Sequence, residues 1–255
     1  MRNGSINRLS SLQIDKNVYS RNFKYCIMNI NDIDDLFEEE SEEITLKEED
    51  RISKLCFSIF DSNNGTPIGT GFLVNKTGLF LSAGHNFKTP NVKAIFRGNI
   101  YDIELIEKEY EPREPVEFAI GRLIDFNIDV PEPSFAIGEV CEIGTKIDLC
   151  GCKKDLVNQS DVLDIITLPS GINIHKQRIT KEISEIKKND PLSIIVEDSK
   201  GIAVPFEHHD QLNTLHGFSG GPAYIGNKIY GIITSHCYIK ADYWWPTLLK
   251  YQDSK

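Results

Sequence analysis

The 255-residue chain has no apolar run long and pure enough to cross a bilayer as a helix, which argues against a helical membrane protein. It also lacks a cationic excess. Lys and Arg number 28 against 38 Asp and Glu, a formal net charge of −10, whereas phosphate backbones and anionic lipid surfaces call for a basic face. Neither nucleic acid nor membrane is an expected partner. The opening stretch MRNGSINRLSSLQIDKNVYS lacks the continuous apolar core of a secretory leader, so the expected location is cytoplasmic. Thiols in that compartment stay reduced. Cys26, Cys56, Cys141, Cys150, Cys152 and Cys237 are therefore expected as free thiols, mostly small core residues rather than a disulfide frame. Beyond residue 53 there is no sustained helical period and no internal repeat.

What is present divides the chain in two. Residues 31–50, NDIDDLFEEESEEITLKEED, are densely acidic. They read as a solvated helix or unordered lead-in, with Ile33, Leu36 and Phe37 as anchors if the segment docks. Residues 1–50 are taken as an acidic extension and 51–255 as the main domain. From CFSIFD at residue 56 onward, short apolar runs alternate with turn signals: GTGFLVN, TGLFLSA, VKAIFRG, YDIELI, FAIGRLI, KIDLCG, DIITLPS, SIIVED, PAYIG and KIYGIITS. VKAIFRG and YDIELI place apolar residues at alternate positions, as half-buried strands do. Gly226-Asn227 between two such runs is a hairpin signal. Many short strands at close spacing predict an all-β fold, barrel or sandwich.

One stretch, HGFSGGPAY at 216–224, sets three glycines and a proline around Ser219. Glycine is retained where backbone must adopt unusual dihedrals or lie close to something. A serine nucleophile supplies such a need, because the charge of its tetrahedral intermediate requires backbone N–H donors beside it. A serine hydroxyl attacks only when an imidazole accepts its proton, and that imidazole is held and stabilised by a carboxylate on its far nitrogen. Candidates for both partners stand at strand ends. His85 follows the apolar run GLFLSA, and Glu117 immediately precedes FAIGRL.

GTGFLV…GLFLSAGH, EFAIGRL and GFSGGPAY…GIITS, in that order and spacing, resemble a trypsin/chymotrypsin-type serine protease, closest in style to the HtrA-like members. The similarity runs from about 53 to 236. It implies two six-stranded antiparallel β-barrels, about 51–130 and 131–240, with the active site between them and a C-terminal tail. It assigns His85 as general base, Glu117 as orienting acid and Ser219 as nucleophile. The Gly217 and Ser219 amides become the oxyanion hole, and no cofactor is implied. HtrA-like relatives often carry a PDZ domain after the protease, for which the stretch following ITSH is too short. A stand-alone protease of this kind implies a narrow task, such as cleaving one partner in a bacterial stress or antiphage programme.

The sequence departs from that family at three places. The acid is Glu117 where Asp is usual, with Asp102 and Asp125 as fallback acids. Phe218 occupies the position where trypsin-like zymogens keep an Asp for a freed N-terminus, so any regulation falls to a partner or to residues 1–50. Asn213 stands at the base of the specificity (S1) pocket, with Thr214 and His216 near the rim and Thr234, Ser235 and His236 on the wall, which suggests a polar residue before the scissile bond. EHHD at 207–210 and the CGC pair are read as a solvated loop and core thiols, not as metal ligands. Trp244 and Trp245 are expected to pack the tail. Glu117 and Phe218 also leave room for an alternative, a pseudoprotease keeping the scaffold as a binding module.

Overall fold

The computed structural model describes residues 50–111, 116–139, 141–142, 144–154, 159–183, 203–205, 216–234 and 237–252. All belong to one compact unit, Glu49–Lys255. The acidic segment before Asp50, with Ile33, Leu36 and Phe37, lies outside them, as do SIIVED and EHHD.

The first half closes into a six-stranded antiparallel barrel. Its strands are β1 (Cys56–Asp61), β2 (Pro67–Leu73), β3 (Leu79–Ser82), β4 (Val92–Phe96), β5 (Asn99–Glu109) and β6 (Phe118–Leu123), in the order β1–β2–β3–β6–β5–β4. β1 shows why. Its pleat sends Phe57 and Ile59 into the barrel core with Phe72 and Phe80. Phe60 packs instead with Cys152, Ile166, Leu168 and Ile174 of the second half. Phe57 and Phe80 meet edge to face at 5.3 Å. Gly71 and Gly121 leave room for these rings, since a Cβ at either would lie 2.5 Å or less from one of them. Full burial of each such Phe is worth about 1.5–3 kcal/mol.

The second half is a separate sheet. Its strands are β7 (Ser134–Phe135), β8 (Lys146–Lys153), β9 (Val162–Thr167), β10 (Asn173–Glu182), β11 (Ala203–Pro205), β12 (Pro222–Ile225), β13 (Lys228–Ile233) and β14 (Cys237–Lys240). The order is β11–β14–β13–β12–β8–β10–β9, with β7 parallel to β13. No pairing among the described residues closes this sheet. Gly226-Asn227 forms the two-residue β12–β13 turn, with Gly226 at φ 56° and Ile225 opposite Lys228. Among the described residues the fold is all-β apart from short 3-10 turns and one helix, α1 (Ala241–Gln252). No helix of the described residues is long and apolar enough to cross a membrane.

Five described elements differ from the sequence expectation: β7, β10, β11, β14 and α1. β10 was not anticipated, because NIHKQRITKE buries the adjacent polar residues Lys176 and Gln177, between which the register against β9 shifts, so no period-two alternation of apolar residues marks it. β14 was not read as a separate strand because only three residues separate it from the end of β13. α1 carries Pro246 and the β-prone run YWW, and its helical character comes from tertiary packing rather than propensity. Ala241, Trp244 and Leu248 are its buried residues. Trp244 stacks edge-on against Phe135 at 5.5 Å and donates from Nε1 to the Ile239 carbonyl, anchoring the tail. Cys56, Cys141, Cys150, Cys152 and Cys237 are free thiols. Cys26 lies outside the described residues.

Candidate active site

β3 and β6 run antiparallel, with Ser82 opposite Ala119. Continuing past Ser82 and stepping back from Ala119 therefore brings residues 85 and 117 to the same end of the barrel. His85 sits there in a 3-10 turn, Gly84–Phe87. That turn lies so close to the end of β5 that a Cβ on Gly84 would be 2.3 Å from the Glu109 carbonyl. Glu117 is almost fully buried and grips His85 twice. Its Oε1 lies 2.5 Å from Nδ1, and its Oε2 accepts the His85 backbone N–H at 2.8 Å. An ionised carboxylate can only accept, so this geometry puts the imidazole proton on Nδ1 and leaves Nε2 free as a base. The two fallback acids are elsewhere. Asp102 pairs with Lys93 at 2.8 Å on the exposed outer face, and Asp125 occupies a turn at φ 58°. Tyr110 meets the imidazole edge-on at 6.4 Å, with Lys88 over the Tyr110 face.

The Ser219 loop enters from the second half, immediately before β12. Its glycines answer to close packing. Gly217 is at φ 93°, and a Cβ there would stand 2.6 Å from the Cys152 carbonyl. Gly220 is at φ 89° with its Cβ position 2.1 Å from the Thr70 carbonyl. No L side chain meets either demand. Phe218 is fully buried with Ile147, Leu149 and Ile233. Gly151, between the two thiols of CGC, makes its room: a Cβ at 151 would lie 2.5 Å from Phe218. Position 218 is thus an apolar anchor for the loop.

β2 fixes the loop from the other side. Thr70 donates its hydroxyl to the Gly217 carbonyl at 2.6 Å and its N–H to the Ser219 carbonyl at 2.9 Å. The same hydroxyl accepts the Cys152 N–H at 2.8 Å. The Phe218 carbonyl is turned inward to the Gly221 N–H at 2.8 Å. In a planar trans peptide the Ser219 N–H must then point the opposite way, out of the turn. Neither that amide nor the Gly217 amide donates to a carbonyl or side chain among the described residues.

Asn86, the residue after His85, donates from Nδ2 to the Ser219 carbonyl at 2.9 Å, so His85, Glu117 and the Ser219 loop lie about one seam. Among the described residues Ser219 Oγ has no hydrogen-bond partner, so its bond to His85 Nε2 is not made. Thr234 is buried with its hydroxyl on Cys237 Sγ at 3.0 Å, where it shapes the β13–β14 connection. His216 is exposed at the start of the serine loop, and Asn213, Thr214, Ser235 and His236 lie outside the described residues. No group of three or more His, Cys, Asp or Glu among the described residues is placed to hold a metal. Thr70, Ser82 and Asn86 are site residues that sequence reasoning missed. No signal in the sequence marks them, because the partners that make them site residues are distant in the chain, Gly217 for Thr70 and Ser219 for Asn86.

No family model matches the sequence, and no curated protein matches it.

Proposed function

We propose that this chain is a serine endopeptidase that cleaves a protein or peptide substrate through an acyl-enzyme, with His85, Glu117 and Ser219 as its triad and no cofactor. The observation that carries this is the double grip of Glu117 on His85, facing a glycine-rich serine loop. Ser219 Oγ attacks the scissile carbonyl carbon as its proton passes to His85 Nε2. The carbonyl electron pair moves onto oxygen and is received by the Gly217 and Ser219 amides. Collapse of the intermediate breaks the C–N bond, and the proton on Nε2 leaves with the amine. Water then repeats the sequence on the ester, giving its proton to His85 and freeing Ser219. Glu117 keeps the imidazole in one tautomer and stabilises its charged form.

The proposal includes a chymotrypsin-like double barrel, of which the closed β1–β6 barrel would be the first. It also includes a polar residue before the scissile bond, a cytoplasmic setting, and residues 1–50 as the docking site of a regulatory protein partner. A fluorophosphonate probe tests the chemistry. Labelling at Ser219 that disappears in Ser219→Ala and His85→Ala is expected, since the groups act as a unit.

A second reading is a binding module on a protease scaffold. One observation favours it: the Ser219 hydroxyl does not engage His85. Catalytic hydrogen bonds often tighten only with substrate present, so this ranks second. Absence of labelling under every condition, including a peptide ligand, would select it.

A further inference from the structure

The structure assigns to Asn86 the role of positioning residue for the nucleophile, an inference that rests on Ser219 being that nucleophile. Asn86 follows His85 directly and is 1% exposed. Its Nδ2 donates to the Ser219 carbonyl at 2.9 Å and to Ser82 Oγ at 3.0 Å, and lies 3.4 Å from the Thr70 carbonyl. The general base and the nucleophile, 134 positions apart in the chain, are thus joined by one peptide bond and one hydrogen bond. Gly69 exists for this contact: a Cβ there would sit 2.5 Å from both Asn86 Oδ1 and Nδ2.

The Ser219 carbonyl has two lone pairs and receives two donors, the Thr70 N–H and Asn86 Nδ2. Two donors fix the carbonyl's direction, and with it the peptide plane from which the Ser219 side chain is hung. Thr70 alone would leave a pivot. His85 is held by Glu117 on its other side, so the Glu117 grip and the Asn86 bond together set base against nucleophile.

Stability does not account for an asparagine here. Asn86 Oδ1 is buried without a hydrogen-bond partner, which is costly. Removing the side chain would leave no new orphan among the groups it touches. Ser82 Oγ donates to the Thr70 carbonyl at 2.7 Å, and the Ser219 carbonyl keeps Thr70. A residue selected only to fill the space would be apolar. What Asn86 supplies is direction.

The test is Asn86→Ala in the full chain, read by fluorophosphonate labelling, melting temperature and amide hydrogen exchange. The limiting labelling rate should fall about 10- to 100-fold, the scale of a misplacement near 1 Å, with the half-saturating probe concentration unchanged. The melting temperature should stay within about 4 °C of wild type, and exchange across 216–221 should quicken. Ser82→Ala loosens Asn86 less and should lower the rate about 2- to 10-fold; it carries the comparison if Asn86→Ala does not fold. Wild-type labelling rates in both variants, or a fall no larger than the unfolded fraction explains, overturn the assignment and leave the hydrolase standing. A wild-type chain that never labels overturns the hydrolase. In that case faster exchange at 216–221 in Asn86→Ala keeps the positioning of the loop, and unchanged exchange overturns it too.

Discussion

Glu117 accepts from His85 at two points, the ring Nδ1 at 2.5 Å and the backbone N–H at 2.8 Å, so one carboxylate fixes both the tautomer and the turn that carries it. Its loss should be severe. Glu117→Gln can present an N–H toward Nδ1 and favour the wrong tautomer, and a fall of about four orders of magnitude in labelling or turnover is expected from the worked protease example. Glu117→Asp keeps the charge but is one methylene shorter and should retain part of the rate. Near wild-type turnover in Glu117→Gln would remove Glu117 from the mechanism.

Gly220 and Gly226 both have positive φ, but only one is crowded. A Cβ on Gly220 would lie 2.1 Å from the Thr70 carbonyl, while nothing lies within 4 Å of the Cβ position of Gly226. Gly226→Ala should therefore cost only left-handed strain, about 1–2 kcal/mol. Gly220→Ala must displace backbone as well, so it should cost more and abolish labelling. Urea unfolding of the two variants gives the comparison. Equal costs would mean that the loop does not pack on β2 in solution.

How much of this was legible in the sequence depended on whether a residue's reason was local. β1, β3 and β6 read directly as short apolar runs between turn signals, and His85, Glu117 and Ser219 stood out because each adjoins such a run. β10 did not, because the burial of Lys176 and Gln177 is decided by neighbours on β8 and β9. α1 did not, because its register is set by Trp244 and Leu248 docking into the core. Asn86 was invisible for the same reason: its partner is 133 residues away, and nothing nearby in the chain distinguishes it from a solvated turn residue.

The thiols should respond to pH in one direction. Burial pushes Cys152 from an ordinary 9.0 up to about 12, with Lys176 pulling the other way. Burial likewise raises Cys56, reinforced by Cys150. Folded values above the unfolded ones mean that the protonated thiols' contribution is full below pH 9.0 and is lost as pH rises toward about 12. The urea midpoint should fall across that window, and less steeply in Cys152→Ala. At pH 8 a disulfide reagent should find at most two fast thiols in the native chain, the half-buried Cys141 and, outside the described residues, Cys26, against close to six after unfolding. Three or more fast native thiols would contradict the burial of Cys56, Cys150, Cys152 and Cys237.

Asp50 closes the acidic stretch in sequence but is bonded into the body. Its Oδ1 accepts the Ser53 N–H at 3.0 Å, and its Oδ2 accepts Arg178 Nη1 at 3.0 Å and Tyr224 Oη at 2.7 Å. Arg178 is on β10 and Tyr224 on β12, five positions after Ser219, so this one side chain ties the entry of β1 to the strand that follows the serine loop. Tyr224 is 2% exposed, and without Asp50 its buried hydroxyl loses its acceptor. Asp50→Ala should cost about 1–3 kcal/mol, discounted for an Arg178 that is about one-third exposed. Asp50→Asn keeps an acceptor for Tyr224 and should cost less. A chain starting at Asp50 should therefore melt higher than one starting at Arg51, although they differ by one residue. Equal melting temperatures would show that the clamp is not formed in solution, and Tyr224→Phe would then be silent in the longer chain as well.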